Sequence, residues 1–413
     1  MLSTEPRSSA KKKSTFRRVS EWLHLWLGLF SGIIVFVVCL TGGIWATRYE
    51  VWYFTEPYQR VEVQHKEYLK PSELVALSRK YLKAKHENAD TLESVVIGKP
   101  GKSAICTFDL GGGRDAAIYL NPYTGYVVYD KRERSAADDF FIFVRAGHRF
   151  FWLPQKIGSP VVGSACIIFI ITLITGIIWW FPVKWNRKAR EKAFKVKWSA
   201  NWKRLNIDLH NVFGFYAMLF VLAMTVTGVV FTFEWFEKGI YTSLTWKKME
   251  EPKQPQPFSD TTLVGSIQHV NDEDFIWNHA IARHPDFAKV TILFPANTKA
   301  AYQSFVQFGD GTLNYNRAIY YFDRYTLKPL APTNPSALPY AEASLGEKVF
   351  RMNFDIHTGQ ILGLPTKILA EFACLIGASL PVTGFIIWYN RKWGKKKTRR
   401  KKRAKGDAAP QLV

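Results

Sequence analysis

The sequence lacks the short motifs that mark the commonest catalytic sites. Its 413 residues contain no GxGxxG between a strand and a helix, no P-loop, no GxSxG and no HExxH. Nicotinamide oxidation, nucleotide hydrolysis and the common protease mechanisms therefore have no visible site. If electrons move through this protein, another molecule must deliver them.

Cysteine is also scarce. Of the four cysteines, Cys39, Cys166 and Cys374 lie in long apolar runs, and Cys106 stands alone between two of these runs. No CxxC or CxxCH motif is present, which argues against a disulfide framework, a cysteine metal site and covalent haem attachment. We interpret the four residues as small apolar packing residues.

Acidic residues are nearly missing from three stretches of the chain. Windows 1–24, 182–206 and 390–413 hold 6, 9 and 11 Lys or Arg residues against four acidic residues in total, which accounts for the whole net charge of +22. These windows alternate with neutral segments, as the positive-inside rule of membrane proteins requires. The basic charge therefore indicates topology and contact with membrane lipid, and nucleic-acid binding is not expected.

Charge is absent from four apolar runs, at 25–47, 157–183, 209–233 and 372–390. Each run is about as long as a helix needs to cross a hydrocarbon core of roughly 30 Å. We predict transmembrane helices at 21–48 and 207–236, and interfacial segments followed by helices at 138–183 and 355–390. The basic segments 1–20, 184–206 and 391–413 then lie in the cytoplasm. The first run is longer than the apolar region of a usual signal peptide, and no small-residue cleavage site follows it. We therefore expect a retained membrane anchor.

An internal repeat organises these four runs. Each run contains or ends in a Thr-Gly pair, and the pairs are Thr41-Gly42, Thr175-Gly176, Thr227-Gly228 and Thr383-Gly384. A histidine precedes each pair, His24 and His210 by 17 residues, His148 by 27 and His357 by 26. The repeat predicts two copies of a unit made of a helix, an outside loop and a second helix.

The two outside segments have the pattern of small α+β modules, at 60–137 and 258–340. Residues 71–85 have helical spacing of apolar side chains, and 103–110 and 304–308 alternate as strands do. Strand, turn and strand are predicted again near 118–128 and 319–329, with Leu327 where the first turn has Gly125. The expected fold is a four-transmembrane-helix bundle from an internal duplication, with two periplasmic α+β modules.

The four repeated histidines are the candidate functional residues. His24 and His210 lie toward the basic side of the membrane, and His148 and His357 lie toward the other side. A single interfacial histidine most simply bonds a carbonyl or a lipid headgroup. Four at paired positions favour a function, because ionisable groups near a bilayer are costly and neutral imidazole is a common haem ligand. Zinc is the rival metal, but no Cys, Asp or Glu accompanies these histidines at ligand spacing.

Several neighbours of the histidines allow two interpretations. Gly28 and Gly214 could make room for a flat macrocycle, or they could serve close helix packing. Asp208 and Asp355, each two residues before a histidine, could orient an imidazole or cap a helix at the interface. The remaining histidines lack repeat partners and are expected on the solvated surface; they are His65, His86, His269, His279 and His284.

The chain resembles the PepSY-associated transmembrane family of bacterial iron-regulated membrane proteins, which includes inner-membrane siderophore-iron reductases. The resemblance rests on the helix starts at His24 and His210, on the turn at 119–128, and on the block from His357 to Pro365 that leads to Thr383. It covers most of the chain, from about Arg17 to Trp393.

The resemblance implies a bacterial inner-membrane oxidoreductase with both termini in the cytoplasm and b-type haem, two in number, held by histidines. His24 with His210 would ligate an inner haem, and His148 with His357 an outer one. Electrons from a quinol or a partner protein would reduce a ferric siderophore or another ferric chelate in the periplasm. Reduction weakens the binding of iron by hard oxygen ligands and releases the metal.

Two other functions are compatible with the same topology. The first is a non-enzymatic, membrane-anchored PepSY module that binds a periplasmic protein or peptide in regulation or assembly. The second is a transporter of the iron chelate, which we do not favour because the apolar runs lack central charges and a pair of broken helices.

Overall fold

A computed structural model describes residues 14–182, 185–249, 256–265, 270–333 and 337–393. Residues 1–13 and 394–413, which carry most of the predicted basic N-terminus and tail, lie outside these ranges, and so does His269. The described helices are α1 (Thr15–Ala46), α2 (Arg48–Thr55), α3 (Pro71–Ala84), α4 (Ala136–Phe150), α5 (Gln155–Trp180), α6 (Arg187–Phe194), α7 (Trp202–Asp208), α8 (Gly214–Val230), α9 (Glu234–Thr245), α10 (Asp272–Arg283), α11 (Leu345–Arg351), α12 (Asn353–His357) and α13 (Leu364–Lys392).

Within the described residues, four helical segments are long and apolar enough to cross a membrane, as the apolar runs predicted. They are α1, α5, the continuous segment Trp202–Val230 and α13. They belong to a compact unit made of Met1–Ala46, Phe143–Phe233 and Leu364–Val413. Helix α1 packs against α5 and α13, and α8 packs against the same two helices. Val35, Phe169 and Val221 lie in the apolar core between them.

Helix α13 begins at Leu364, eight residues before the apolar run that predicted it. The run was delimited by charge, and Glu371 ended it. Lys367 and Glu371 are spaced by four residues, which a helix accommodates on one face, and Lys367 is only 9 % exposed. The fourth span therefore contains two ionisable residues that the search for apolar runs excluded.

The second compact unit comprises Thr47–Ile142 and Glu234–Gly363. Its described strands are β1 (Thr91–Gly98), β2 (Ala104–Asp109), β3 (Asp115–Leu120), β4 (Val127–Lys131), β5 (Lys289–Leu293), β6 (Tyr302–Gln307), β7 (Arg317–Phe322) and β8 (Pro329–Leu330). They form one antiparallel sheet in the order β4-β3-β2-β1-β5-β6-β7-β8. The prediction of two separate modules was wrong in this respect, because β1 pairs with β5 from Ser94 to Gly98 and joins the halves. The pairing gives hydrogen-bond partners to two strand edges that separate modules would leave open.

One face of the sheet is covered by α3 and α10. Leu74 and Leu82 of α3, and Ile276 of α10, are fully buried against it. The starts of the two helices are joined, since Ser72 donates from its backbone nitrogen and from its hydroxyl to the Asp274 carboxylate, at 2.8 and 2.6 Å. Cys106 lies in the same core, and its burial raises the pKa of the thiol to about 12. This agrees with its interpretation as a packing residue.

The two predicted strand-turn-strand segments have matching turns. Gly125 has a φ of +70° and its amide donates to the Asn121 carbonyl at 2.8 Å. Leu327 has a φ of +54° and its amide donates to the Asp323 carbonyl at 3.0 Å. The second turn therefore forms without the glycine. The Asp323 carboxylate also accepts hydrogen bonds from the backbone nitrogens of Tyr325 and Thr326, both at 2.9 Å, which holds the backbone in place.

Candidate functional site

His24 and His210 lie next to each other in the helical bundle. Their ring centroids are 6.2 Å apart and the ring planes are nearly perpendicular, at 83°. His24 is on α1, and His210 is in a π-helical turn, Leu209–Phe213, between α7 and α8. Such wide turns occur mostly as single-turn interruptions of α-helices and often at functional sites. The pairing of these two histidines was predicted from the repeat, whereas the wide turn has no signal in the sequence.

Both imidazoles are oriented through the same ring nitrogen. His24 Nδ1 donates to the Thr172 carbonyl at 2.9 Å. His210 Nδ1 lies 2.8 Å from the Thr383 hydroxyl oxygen, and that hydroxyl donates its single proton to the Ser379 carbonyl at 2.8 Å. Thr383 must therefore accept from His210. In both rings Nδ1 carries the proton, which leaves the lone pair of Nε2 for a metal ion.

The imidazoles of His24 and His210 each pack against the glycine of a Thr-Gly pair. A Cβ atom at Gly176 would lie 3.0 Å from His24 Cε1, and one at Gly384 would lie 3.3 Å from His210 Cε1. Side-chain atoms rarely approach so closely, so alanine at either position would press on the imidazole. The Thr-Gly pairs were recognised as markers of the repeat, but their partnership with the histidines was missed.

His148 repeats this arrangement at another level of α1. Its Nδ1 donates to the Val38 carbonyl at 2.9 Å, and a Cβ atom at Gly42 would lie 2.9 Å from its Cε1. Val38 is fourteen residues beyond His24, which is about 21 Å along an α-helix. Three of the four repeated histidines therefore lie at two well-separated levels of the bundle.

His357 belongs to the unit that carries the sheet, where it ends α12. Two residues earlier, Asp355 is fully buried. Its two carboxylate oxygens accept from the backbone nitrogens of Asn314 and Tyr315, at 2.8 and 2.9 Å. Asp355 thus anchors the loop between β6 and β7, and burial raises the pKa of its carboxyl. The pairing of His357 with His148 stays a prediction.

The role considered for Asp208 is not the one that the structure gives it. Its carboxylate forms an ion pair with Arg204 at 2.7 Å and is 1 % exposed, while Thr383 and not Asp208 holds Nδ1 of His210. On a helix, a residue four positions from Asp208 lies on the same face, whereas one two positions away does not. The helix period therefore favours Arg204 over His210.

Gly28 and Gly214 both face side chains of adjacent helices, and a role beside a macrocycle stays a prediction. A Cβ atom at Gly28 would lie 3.5 Å from Thr172 Cγ2, and one at Gly214 would lie 3.2 Å from Leu380 Cδ2. Both neighbours are side chains of adjacent helices. Small residues at such positions let two helix backbones approach closely.

The other described histidines divide into two groups. His65 and His86 are exposed, as expected. His279 and His284 are half-buried, so their prediction as solvated residues was wrong. His284 bonds the Tyr320 hydroxyl through Nε2 at 2.6 Å, and the His279 ring contacts Phe322 at 4.8 Å between centroids.

The His24–His210 pair fits a metal held between two imidazoles. A metal–imidazole bond is about 2 Å long, so two rings on opposite sides of one ion have centroids roughly 6 Å apart. The observed separation is 6.2 Å. Among the described residues, no group of three or more His, Cys, Asp or Glu side chains could hold a metal ion. Two imidazoles are fewer than the four protein ligands that a structural zinc site needs.

A groove lies beside the residues that hold His210. Its volume is about 360 Å³, and it is lined by Trp202, Lys203, Phe385, Ile386, Tyr389 and Asn390. Phe385 is two residues beyond Thr383. In the helix that begins with Trp202, Asn206 donates to the Thr383 carbonyl at 3.1 Å. The Asn206 side-chain oxygen is buried and has no hydrogen-bond partner among the described residues.

Comparison with known proteins identifies the family. No curated protein matches the sequence. The profile of the PepSY-associated TM region matches residues 21–391, which include the four repeated histidines and nearly all of the four candidate membrane-spanning segments. The family predicted from the motifs is thereby confirmed. The chain belongs to the PepSY-associated transmembrane family and is a multi-pass membrane protein.

Proposed function

We propose that this protein is a haem-dependent oxidoreductase of the bacterial inner membrane that reduces a ferric siderophore or another ferric chelate in the periplasm. The observation that carries the proposal is the pair of imidazoles at His24 and His210. They are 6.2 Å apart and both are protonated at Nδ1. The topology behind it is a duplicated pair of helices with periplasmic α+β segments and cytoplasmic termini.

The residues of the bundle have distinct tasks in this proposal. Haem iron accepts and donates one electron at a time. His24 and His210 would hold one b-type haem, and His148 with His357 a second. Thr172, Thr383 and Val38 fix the protonated nitrogens of three of these rings. A bilayer roughly 30 Å thick is too wide for one efficient electron transfer, so two histidine levels about 21 Å apart suit a path with an intermediate stop.

The electron donor in this proposal is a membrane hydroquinone that uses the groove beside His210. A hydroquinone gives up two electrons and two protons when it becomes a quinone. The groove is within the usual range of ligand sites, about 300–1,000 Å³, and it combines three aromatic side chains with the polar groups of Lys203 and Asn390. A partner protein is the other candidate donor.

An optical spectrum of the purified protein tests the function. We expect reduced-minus-oxidised bands of b-type haem, equivalent to two haems per chain, after expression with a haem supply. His24→Ala and His210→Ala should each remove one haem and leave the protein in the membrane. His65→Ala, at an exposed histidine outside the bundle, is the matched control and should retain both.

The absence of any haem band from the wild-type protein would overturn the proposal. A haem-free preparation that captured a periplasmic protein or peptide would favour the non-enzymatic alternative. Retention of both haems by His24→Ala and His210→Ala would show that the ligands are elsewhere.

A further inference from the structure

Two cations, Lys289 and Arg317, lie in a row across the face of the sheet that α3 and α10 do not cover. Lys289 on β5 is paired with Gly98 on β1 and with Gln307 on β6, and Gln307 is paired with Arg317 on β7. Cross-strand partners point to the same face of a sheet. Their neighbours in sequence, Val290, Val306 and Ala318, are buried toward the helices, so Lys289, Gln307 and Arg317 point the other way.

Lys102 extends this row at its β1 end. A Cβ atom at Gly98 would lie 3.0 Å from Lys102 Cβ and 3.3 Å from its Cγ. The stem of Lys102 therefore lies over Gly98, on the face to which Lys289 points. The row now reads Lys102, Lys289, Gln307 and Arg317, and we call it the cationic row.

Within the described residues, only the Arg317 end of the cationic row has an acid acting on it, the Asp355 carboxylate, beyond ion-pair distance. In the part of the chain that the structure describes, no carboxylate lies within 4 Å of the Lys102, Lys289 or Arg317 side-chain nitrogens. Burial alone lowers the pKa of the Lys289 ammonium, as expected for a cation without a charged partner. Among the described residues Lys102 and Lys289 have no such acid, and an anion bound beside them would relieve the repulsion between like charges.

The row is connected to the segment that ends in His357. Arg351 of α11 donates to the backbone carbonyls of Arg317 and Tyr315, at 2.8 and 3.1 Å. Asp355 of α12 accepts from the Tyr315 amide at 2.9 Å. The β6–β7 loop thus ties the Arg317 end of the row to the short helix that carries the proposed outer haem ligand. An electron acceptor bound at the row would lie in the same network of contacts as His357.

We propose that the cationic row binds the electron acceptor, and that this acceptor is an anionic ferric chelate, with carboxylate or catecholate ligands. This inference rests on the proposed function. A haem held by His357 would supply one electron, which would convert the Fe(III) of the chelate to Fe(II), and no bond to the protein would form or break. Gln307 adds a neutral amide between two cations, which suits ligand oxygens at the chelate surface.

Reoxidation of the dithionite-reduced holoprotein tests the inference. Its haem bands are followed after addition of Fe(III)–EDTA, an anionic complex, or of a cationic ferric trihydroxamate that carries a free ammonium group. With Lys289→Gln/Arg317→Gln, we expect the second-order rate with Fe(III)–EDTA to fall at least tenfold. The rate with the cationic chelate should stay the same or rise. Lys289→Met alone, which keeps the Arg317 contacts, should give a smaller loss of the same selectivity.

The control is Lys66→Gln/Lys83→Gln, which removes two exposed charges elsewhere on the same unit. An equal fall in this control would assign the effect to overall charge and overturn the inference. A fall that is the same for both chelates, or no fall, would overturn it as well while leaving the proposed function intact. If no ferric chelate reoxidises the wild-type protein, the proposed function itself is wrong.

Discussion

At the scale of single residues, the candidate site depends on what holds the protonated nitrogen of each histidine. Two of the three described anchors are backbone carbonyls, of Thr172 and Val38. His210 has a side-chain partner, the Thr383 hydroxyl, in addition to a backbone hydrogen bond with Leu380. The carbonyls cannot be removed by mutation, but the hydroxyl can, so Thr383 offers the most direct test of ring orientation.

Thr383→Val should lower haem content. Valine keeps the volume of threonine and removes the oxygen that accepts from His210 Nδ1, so a buried N–H loses its partner, at a cost of about 1–3 kcal/mol. Loss of the group that orients a metal-binding histidine lowers metal affinity by about 10–100-fold. Haem per chain in the purified protein measures the effect, and Thr383→Ser should restore it.

The matched control is Thr225→Val on α8. Thr225 is more buried than Thr383, and its hydroxyl bonds the Val221 carbonyl at 2.6 Å. If Thr225→Val lost as much haem as Thr383→Val, the loss would reflect general damage to the bundle. Full haem content in Thr383→Val would show that the Nδ1 bond of His210 does not orient a ligand.

At the scale of elements, the turn that contains Leu327 shows that side-chain burial can outweigh backbone strain. Leu327 has a φ of +54°, a conformation that costs a residue with a side chain about 1–2 kcal/mol. Its side chain is only 8 % exposed and lies in the core between α10 and the sheet. Truncation of a buried leucine costs about 2–5 kcal/mol, so burial outweighs backbone strain. Glycine is not needed at this turn because the leucine side chain offsets its conformation.

Leu327→Gly should therefore destabilise the unit that carries the sheet, by about 1–3 kcal/mol, although it relieves the backbone. Thermal unfolding of the purified protein, followed by circular dichroism of the sheet, measures the change. Gly309→Ala, at a loop glycine with a φ of +70°, isolates the backbone cost alone. A more stable Leu327→Gly protein would mean that the strain is the larger effect.

The helices and strands also show how much of the fold and of the candidate site could be predicted from the sequence. The four spans, α3 and most strands follow from local patterns of apolar residues, which persist over 6 to 32 residues. The β1–β5 pairing joins residues about 200 positions apart, and the Thr383–His210 bond joins residues 173 positions apart. Neither leaves a local signal. The repeat predicted which histidines belong together, but it contained no information on what holds their rings.

At the scale of the whole molecule, the joined sheet predicts that its two halves unfold cooperatively. Two separate modules would unfold independently, whereas one sheet with a shared central pair of strands should unfold as one unit. Trp277 supports this, because it packs against the cores of both halves. A substitution in the core of one half should therefore weaken the other half.

Ile118→Ala provides that test. Ile118 is fully buried on β3, and its truncation should cost about 2–5 kcal/mol. If the sheet unfolds as one unit, the amides of β6 and β7, for example at Val306, should lose the same free energy of protection from hydrogen exchange. Val63→Ala, at an exposed valine, should leave those amides unchanged. Loss of protection confined to β1–β4 would mean that each half folds alone and that the β1–β5 pairing only docks them, so a mutation in β1–β4 would not be felt at Lys289 and Arg317 in the other half.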